Sequence, residues 1–403
     1  MIVIYWKGEV WNSLKKLLDF LEVENVLTDD KEDNKGILEK GDTIIPSPWI
    51  KPSHIVYQDY YHKVKSELDF VYDLLEEKEL LGKFGFVGVT GTDWKSTVSY
   101  VTSNLLKTTW SPVYIWWNFS PSLAEVLYQI FSENKEIPDY NLIVLEISSF
   151  MLYATQRFKF DYTIWTNFSS DHLDWHRDIV DYYNSKKKIV PLTQNYCFVG
   201  NKNIFDVLRK NGFSNVVLTN TRDFESGFVG DNNKLNLSLA YDLALEFVDQ
   251  EQLLQEKIRS LKPLSHRMEY IGEYQKVRIY DDGKSTSSNS LRNWLVSVTW
   301  KTVLICWGSD KKDNFRHLKS YLEEKAVFLC IIGETSHKFE EIANNLWIDY
   351  RIFDNLEDAV NCSLDAALEK EAENILFSPG CASFDMFRNW QERADFFRNC
   401  LKF

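Results

Sequence analysis

The chain is short of glycine. Sixteen glycines in 403 residues is about 4.0%, against a usual share of roughly 7%. It has no run approaching the roughly 20 consecutive apolar residues of a membrane span, which excludes a helical membrane protein. The opening Met1-Ile2-Val3-Ile4-Tyr5 is apolar with no basic segment before it, so it reads as a strand and not as a secretion signal. Cysteine is sparse, with six residues (197, 306, 330, 362, 381, 400) and no paired spacing. That excludes a zinc ribbon or a disulfide framework and fits a reducing, cytoplasmic setting. Positive charge is in deficit: 46 Lys and Arg stand against 59 Asp and Glu, a net charge of −13. A protein that coats nucleic acid needs a basic face, so that class is excluded. A locally positive pocket for an anionic small molecule is not.

What is present is a globular composition, 44% apolar and 26% charged, with length for two or three domains. Short apolar runs alternate with helical periodicity, the pattern of an α/β protein with parallel sheets. Strands are expected over 1–5, to 45, and over 84–89, 142–147, 162–166, 277–280, 302–306, 327–332 and 375–377. Helices are expected over 12–22 and 66–81 and from about Ser96. Breaks near Gly82 and at Lys262-Pro263-Leu264-Ser265 divide the chain into α/β domains over 1–82, 83–262 and 263–403.

The strongest motif is Gly88-Val89-Thr90-Gly91-Thr92-Asp93-Trp94-Lys95-Ser96-Thr97, which follows a strand and opens a helix. Backbone N–H groups and a helix N-terminus there cradle phosphate, Lys95 neutralises it, and Ser96 reaches a magnesium ion. The plain alternative is a polar strand–helix turn. Trp94 stands against the loop, because the residue before the lysine is normally glycine. Glu146 ends one strand and His172 follows another, so in a parallel sheet both face the ligand crevice. With Ser96 they form the mixed donor set of a magnesium–phosphate site. The alternatives are a solvated carboxylate and a hydrogen-bonded histidine. The run Lys186-Lys187-Lys188 is ordinarily a solvated basic face.

These segments, with Leu145-Glu146-Ile147-Ser148-Ser149-Phe150, Asp171-His172-Leu173-Asp174, Asn232-Asn233-Lys234-Leu235-Asn236, Ser265-His266-Arg267, Asp281-Asp282-Gly283-Lys284-Ser285-Thr286 and the run from Ser378 to Phe387, stand in one order along the chain. They resemble the motifs of the Mur ligases, the amino-acid-adding enzymes of peptidoglycan synthesis. The resemblance implies a Rossmann-like first domain for a UDP-linked substrate, a central P-loop ATPase-like domain and a Rossmann-like third domain for the amino acid. It implies ATP and Mg²⁺ as cofactors. Lys95, Glu146, His172 and Lys186 would be catalytic, and Ser96, Glu146, His172 and Lys186 would serve the metal. Family members carry a carbamylated lysine here, and the spacing from Tyr182 to Ile189 selects Lys186, a one-residue shift selecting Lys187. Gly91, Thr92, Asp93, Lys95, Ser96, Thr97, Asn233, Asn236, Arg267 and Asp282 would hold the nucleotide. Gly8, Asn118, Lys284, Thr286, Asp310, Lys311, Ser383 and Trp390 would hold the substrates.

The implied reaction is ATP-dependent addition of D-glutamate to UDP-N-acetylmuramoyl-L-alanine through an acyl phosphate. Those two small molecules are the implied partners of a cytoplasmic monomer, with no nucleic acid and no membrane. Another Mur-type or folylpolyglutamate-type ligase is the alternative within the class. A non-catalytic nucleotide-sugar binding protein is the alternative outside it.

Tryptophan is abundant where glycine is scarce, at 14 of 403 residues. Trp6, Trp11, Trp49, Trp94, Trp116, Trp117 and Trp307 stand where these motifs carry glycine, while the rest of each motif is intact. With glycine at 6 and 11, the segment after the first strand becomes Gly-x-Gly-x-x-Gly. Glycine positions of this kind need positive φ or close backbone approach, which an indole does not supply. The reading that follows is a gene in which UGA encodes glycine and has been rendered as tryptophan. Its rival is a degenerate chain that truly carries these residues. Trp110, Trp300 and Trp347 fall in turn-like contexts, Trp165, Trp175 and Trp390 read as true aromatics, and Trp294 is undecided.

Overall fold

The computed structural model describes residues 1–6, 9–31, 34–117, 122–133, 136–297, 301–309 and 315–401. The chain is a mixed α/β protein that divides into two compact units. Met1–Phe224 and Leu235–Arg259 make the first, and Glu225–Lys234 and Ser260–Phe403 the second. Among the described residues no helix is long and apolar enough to cross a membrane.

The first unit holds two sheets. Strands β1 (Ile2–Tyr5), β2 (Asn25–Thr28) and β3 (Thr43–Pro46) form a parallel sheet in the order β2-β1-β3. Strands β4 (Phe84–Thr90), β5 (Val113–Trp116), β6 (Asn141–Glu146), β7 (Tyr162–Trp165), β8 (Cys197–Val199) and β9 (Val216–Leu218) form a second parallel sheet, ordered β5-β6-β4-β7-β8-β9. Every residue of β4 and β6 is buried. That is why these strands read as unbroken apolar runs and not as an alternation: both faces are covered. The chain adds strands to one side of β4 and then to the other. The C-terminal end of β4 is therefore the topological switch point, where open α/β sheets bind ligands.

The two sheets of this unit share a core that runs from Ile4, Leu14 and Leu18 to Phe84, Leu127 and Ile143. Ser13 on the helix Glu9–Phe20 donates to Glu125 on the helix Leu123–Glu133 at 2.6 Å. The helix expected over 66–81 is shorter and spans Glu67–Glu77. Ser66 starts it by accepting from the Asp69 N–H at 3.0 Å. It stops because Glu79 takes a left-handed backbone at φ 58°.

The second unit is built on β10 (Glu269–Tyr274), β11 (Val277–Asp281), β12 (Thr302–Trp307), β13 (Ala326–Ile332), β14 (Asp349–Phe353) and β15 (Asn374–Gly380). Their order is β10-β11-β15-β12-β13-β14, parallel except for the antiparallel β10. Here β15 lies between β11 and β12, so the loops after these three strands share the C-terminal edge of the sheet. Lys284 and Ser383 sit on two of them.

Candidate active site

In the first unit the loop 91–94 joins β4 to the helix Lys95–Leu106. Gly91 has φ +154°, and a Cβ there would stand 1.9 Å from the Thr166 hydroxyl. Only glycine fits. Asn167, just past β7, accepts from the N–H groups of Thr92 and Asp93 at 3.1 and 2.8 Å. Two loop amides read as phosphate donors are thus held by a side chain, which leaves the first turn of the helix as the anion-facing end. Ser96 and Thr97 are buried in that turn. Lys95 folds back, and its Nζ donates to the carbonyls of Gly91 at 3.0 Å and Thr92 at 2.8 Å.

Lys186 arrives from the helix Ile179–Lys187, fully buried, and its Nζ donates to the same Gly91 carbonyl at 2.5 Å. It also lies 4.9 Å from the ring centre of Tyr182, whose hydroxyl meets Thr92 Oγ1 at 3.1 Å. Burial, and then Lys95, hold the Lys186 amine well below the usual lysine range, while Asp171, Asp93 and Glu146 pull the other way. Lys187 is only half-buried. The lysine that reaches the loop is Lys186.

Glu146 ends β6, buried, one strand over from the loop. His172 has a left-handed backbone at φ 55°, and its Nε2 is 3.4 Å from Asp171. Burial lowers its pKa most, Asp171 opposes this, and Lys95 and Lys186 lower it further. Gly91, Thr92, Asp93, Lys95, Ser96, Thr97, Glu146, His172 and Lys186 thus gather at the C-terminal edge of one sheet. Among the described residues, no three His, Cys, Asp or Glu side chains form a metal cluster by themselves.

In the second unit Asp282 is buried, accepting from Ser378 Oγ at 2.8 Å and from the Met268 N–H at 3.3 Å. Burial pushes its pKa up to about 7, against the hydrogen bond from Ser378 and the charge of Arg267. His266, just before Arg267 in sequence, meets Asp281 at 2.7 Å. Lys284 places its Nζ 5.0 Å from the ring centre of Trp390, and Ser383 is buried just beyond β15. Thr286 is half-buried. Asn233 and Asn236 are both buried on the helix Asp231–Ala244, the first in the second unit and the second in the first unit. Gly8, Asn118, Asp310 and Lys311 lie outside the described residues.

Residues 89–243 match the Mur ligase middle domain. That segment is similar to the Mur ligases. A curated relative from Aquifex aeolicus (strain VF5), named UDP-N-acetylmuramoylalanine--D-glutamate ligase, is 29% identical across 99% of this chain and 98% of its own length. A relative of the same name from Thermotoga petrophila is 29% identical across 95% of this chain and 89% of its own. Among solved structures, the MurF ligase of Thermotoga maritima in complex with ADP shares the fold. Its TM-score is 0.60 at 16% identity, over 99% of this chain and 93% of that one.

Two residues of this chain carry structure around the site without a sequence signal. Asn167 is one, since nothing in its motif marks it as the holder of loop amides. Arg393 is the other: fully buried on the helix Trp390–Cys400, it donates to the carbonyls of Ala382 at 3.2 Å and Gly283 at 3.4 Å. Those residues immediately precede Ser383 and Lys284. Burial lowers its pKa to about 10.

The tryptophans divide. Among eleven described non-glycine residues with positive φ, three are Trp6 (119°), Trp94 (68°) and Trp347 (56°). Trp347 sits at the C-cap of the helix Ser336–Leu346, 93% exposed, where glycine is the usual residue. Trp11, Trp49, Trp116, Trp117 and Trp307 are not left-handed, so positive φ does not account for a glycine at these positions. Trp11, Trp116 and Trp307 are buried, and Trp307 Nε1 donates to Asp385 at 2.8 Å. Trp294 is a core residue packed near Tyr280. Trp165, Trp175 and Trp390 have ring partners, as true aromatics should. Trp110 is fully exposed, and Trp300 lies outside the described residues.

Proposed function

We propose that this chain joins D-glutamate to UDP-N-acetylmuramoyl-L-alanine at the expense of ATP. The observation that carries the reading is the convergence of Lys95 and Lys186 on the Gly91 carbonyl, in a chain whose near-full-length relatives share that ligase name. Segment 1–82 takes the UDP substrate, 83–262 the nucleotide and 263–403 the amino acid, in a cytoplasmic monomer.

The γ-phosphoryl group passes to the substrate carboxylate, giving an acyl phosphate and ADP. The amine of D-glutamate attacks the acyl carbon, and phosphate leaves. The loop and the first turn of the helix Lys95–Leu106 orient the phosphates, and Lys95 turns from the loop carbonyls to neutralise them. Magnesium, when bound, offsets the charge on the phosphate oxygens. The donors suit an ion that arrives with phosphate and keeps few protein ligands: the Ser96 hydroxyl, the Glu146 carboxylate, His172 and Lys186. Burial favours the uncharged form of the Lys186 amine, the form that takes up CO₂ and becomes an anionic carbamate. Asn233, Asn236, Arg267 and Asp282 bind the rest of the nucleotide. Lys284, Thr286 and Ser383 hold the two carboxylates of D-glutamate with charge-assisted bonds beside Trp390.

The test is phosphate release from ATP by the purified chain with Mg²⁺ and UDP-N-acetylmuramoyl-L-alanine. Release should require D-glutamate. Release driven by L-lysine or diaminopimelate would move the chain elsewhere among the amide ligases, and no release with any amino acid would favour a non-catalytic binding protein.

A further inference from the structure

His176 is buried, and both of its ring nitrogens are engaged. Nδ1 lies 3.2 Å from Asp181 Oδ2, and Nε2 lies 2.9 Å from Ser149 Oγ. Its backbone N–H donates to the His172 carbonyl at 2.9 Å, closing the turn that sets the left-handed His172. Its ring stacks on Phe150 at 5.6 Å and 19°, and packs against Trp175 at 4.6 Å and Tyr182 at 5.1 Å.

These partners come from three different pieces of the site. Ser149 and Phe150 open the helix Ser149–Ala154, three and four residues past Glu146. Trp175 lies on the loop of His172. Asp181 and Tyr182 lie on the helix that ends with Lys186 and Lys187. Ser149, His176 and Asp181 reproduce the hydroxyl–imidazole–carboxylate order of a hydrolytic triad. Yet Ser149 is 1% and His176 2% exposed, so no substrate reaches the hydroxyl. The arrangement holds and does not react. With Asp181 accepting the Nδ1 proton, Nε2 accepts from Ser149, and neither bond can form if the strand end, loop or helix slides.

We infer that His176 is a positioning residue that keeps the end of the Glu146 strand, the His172 loop and the Lys186 helix in register. This rests on the reading of these three side chains as a phosphate–magnesium centre. A histidine that merely fills the core would make the same packing contacts without coupling to the ligand, and the test separates the two.

His176→Phe keeps the aromatic packing and removes both polar bonds; Asp181→Asn, at a partly exposed position, weakens one bond and spares the core. ADP binding to the full chain is measured by calorimetry with Mg²⁺ and with EDTA, alongside thermal unfolding, kcat and the KM for D-glutamate. Groups that orient metal ligands typically matter by 10–100-fold. His176→Phe should therefore weaken Mg²⁺-dependent ADP binding by about 10–100-fold and lower kcat similarly. It should leave ADP binding in EDTA and the KM for D-glutamate near wild type. Asp181→Asn should follow in the same direction by less, and it carries the test if the Phe variant does not fold. Unchanged Mg²⁺-dependent binding in a folded variant would overturn the inference, as would equal losses with Mg²⁺ and EDTA. The calorimetry needs no turnover, so it stands even if the chain proves not to add D-glutamate.

Discussion

The Lys186 amine and the Gly91 carbonyl oxygen are 2.5 Å apart, both buried. The contact ties the helix Ile179–Lys187 to the loop after β4 and sets which of three consecutive lysines can serve the site. Lys186→Ala should cost about a hundredfold or more in turnover, the scale of a lost preorganised charge, with partial recovery from a small added carboxylate. Lys187→Ala should stay near wild type. A full loss at Lys187 with activity kept at Lys186 would show that the wrong face of the helix was chosen.

The left-handed tryptophans predict a gain of stability on replacement. Trp347→Gly removes a Cβ from a left-handed, fully solvated helix cap and should stabilise by about 1 kcal/mol in denaturant unfolding. Trp165→Gly, from the core, should cost roughly 3–5 kcal/mol. Trp94→Gly should tighten ATP binding. UGA codons at 94 and 347 in the gene would account for all of this, whereas UGG there, with no gain from either change, would contradict it.

Much of this architecture was legible before the structure. β4, β6, β12 and β15 announce themselves because strands covered on both faces are uniformly apolar. The loop after β4 does so because Gly91 and Lys95 are demanded by its geometry. The strand Glu269–Tyr274 escaped because it is an antiparallel edge with exposed and half-buried positions. Lys186 and Lys187 could not be separated with certainty by spacing, since only packing shows that Tyr182 and Lys186, four apart, share the buried face. Asn167, His176 and Arg393 act through backbone groups or through each other, and such partnerships leave no local pattern. The tryptophans show the converse: a motif shows where glycine is usual, but only the backbone angle and the space around it show where it is required.

Glu67 predicts a pH-dependent stability. It is fully buried in the first turn of the helix Glu67–Glu77, its Oε1 accepting from the Ala124 N–H at 3.1 Å, and burial pushes its pKa up to about 7. Its folded pKa is above the unfolded value of ~4.3. The stability it contributes is therefore present at low pH and lost as pH rises through about 7. Glu67→Gln keeps the acceptor and removes the titration. Relative to wild type, the variant should gain up to about 3 kcal/mol between pH 5 and pH 8.5, read by denaturant unfolding. A constant difference across that range would place the carboxylate in contact with water.

The chemistry is tested most directly by the oxygen that phosphate carries away. UDP-N-acetylmuramoyl-L-alanine labelled with ¹⁸O in its free carboxylate is incubated with ATP, Mg²⁺ and D-glutamate, and both products are weighed by mass spectrometry. The account predicts one ¹⁸O atom in each phosphate released, matched by a D-glutamyl adduct that has lost one label. Unlabelled phosphate, or labelled substrate returned without an adduct, would contradict it.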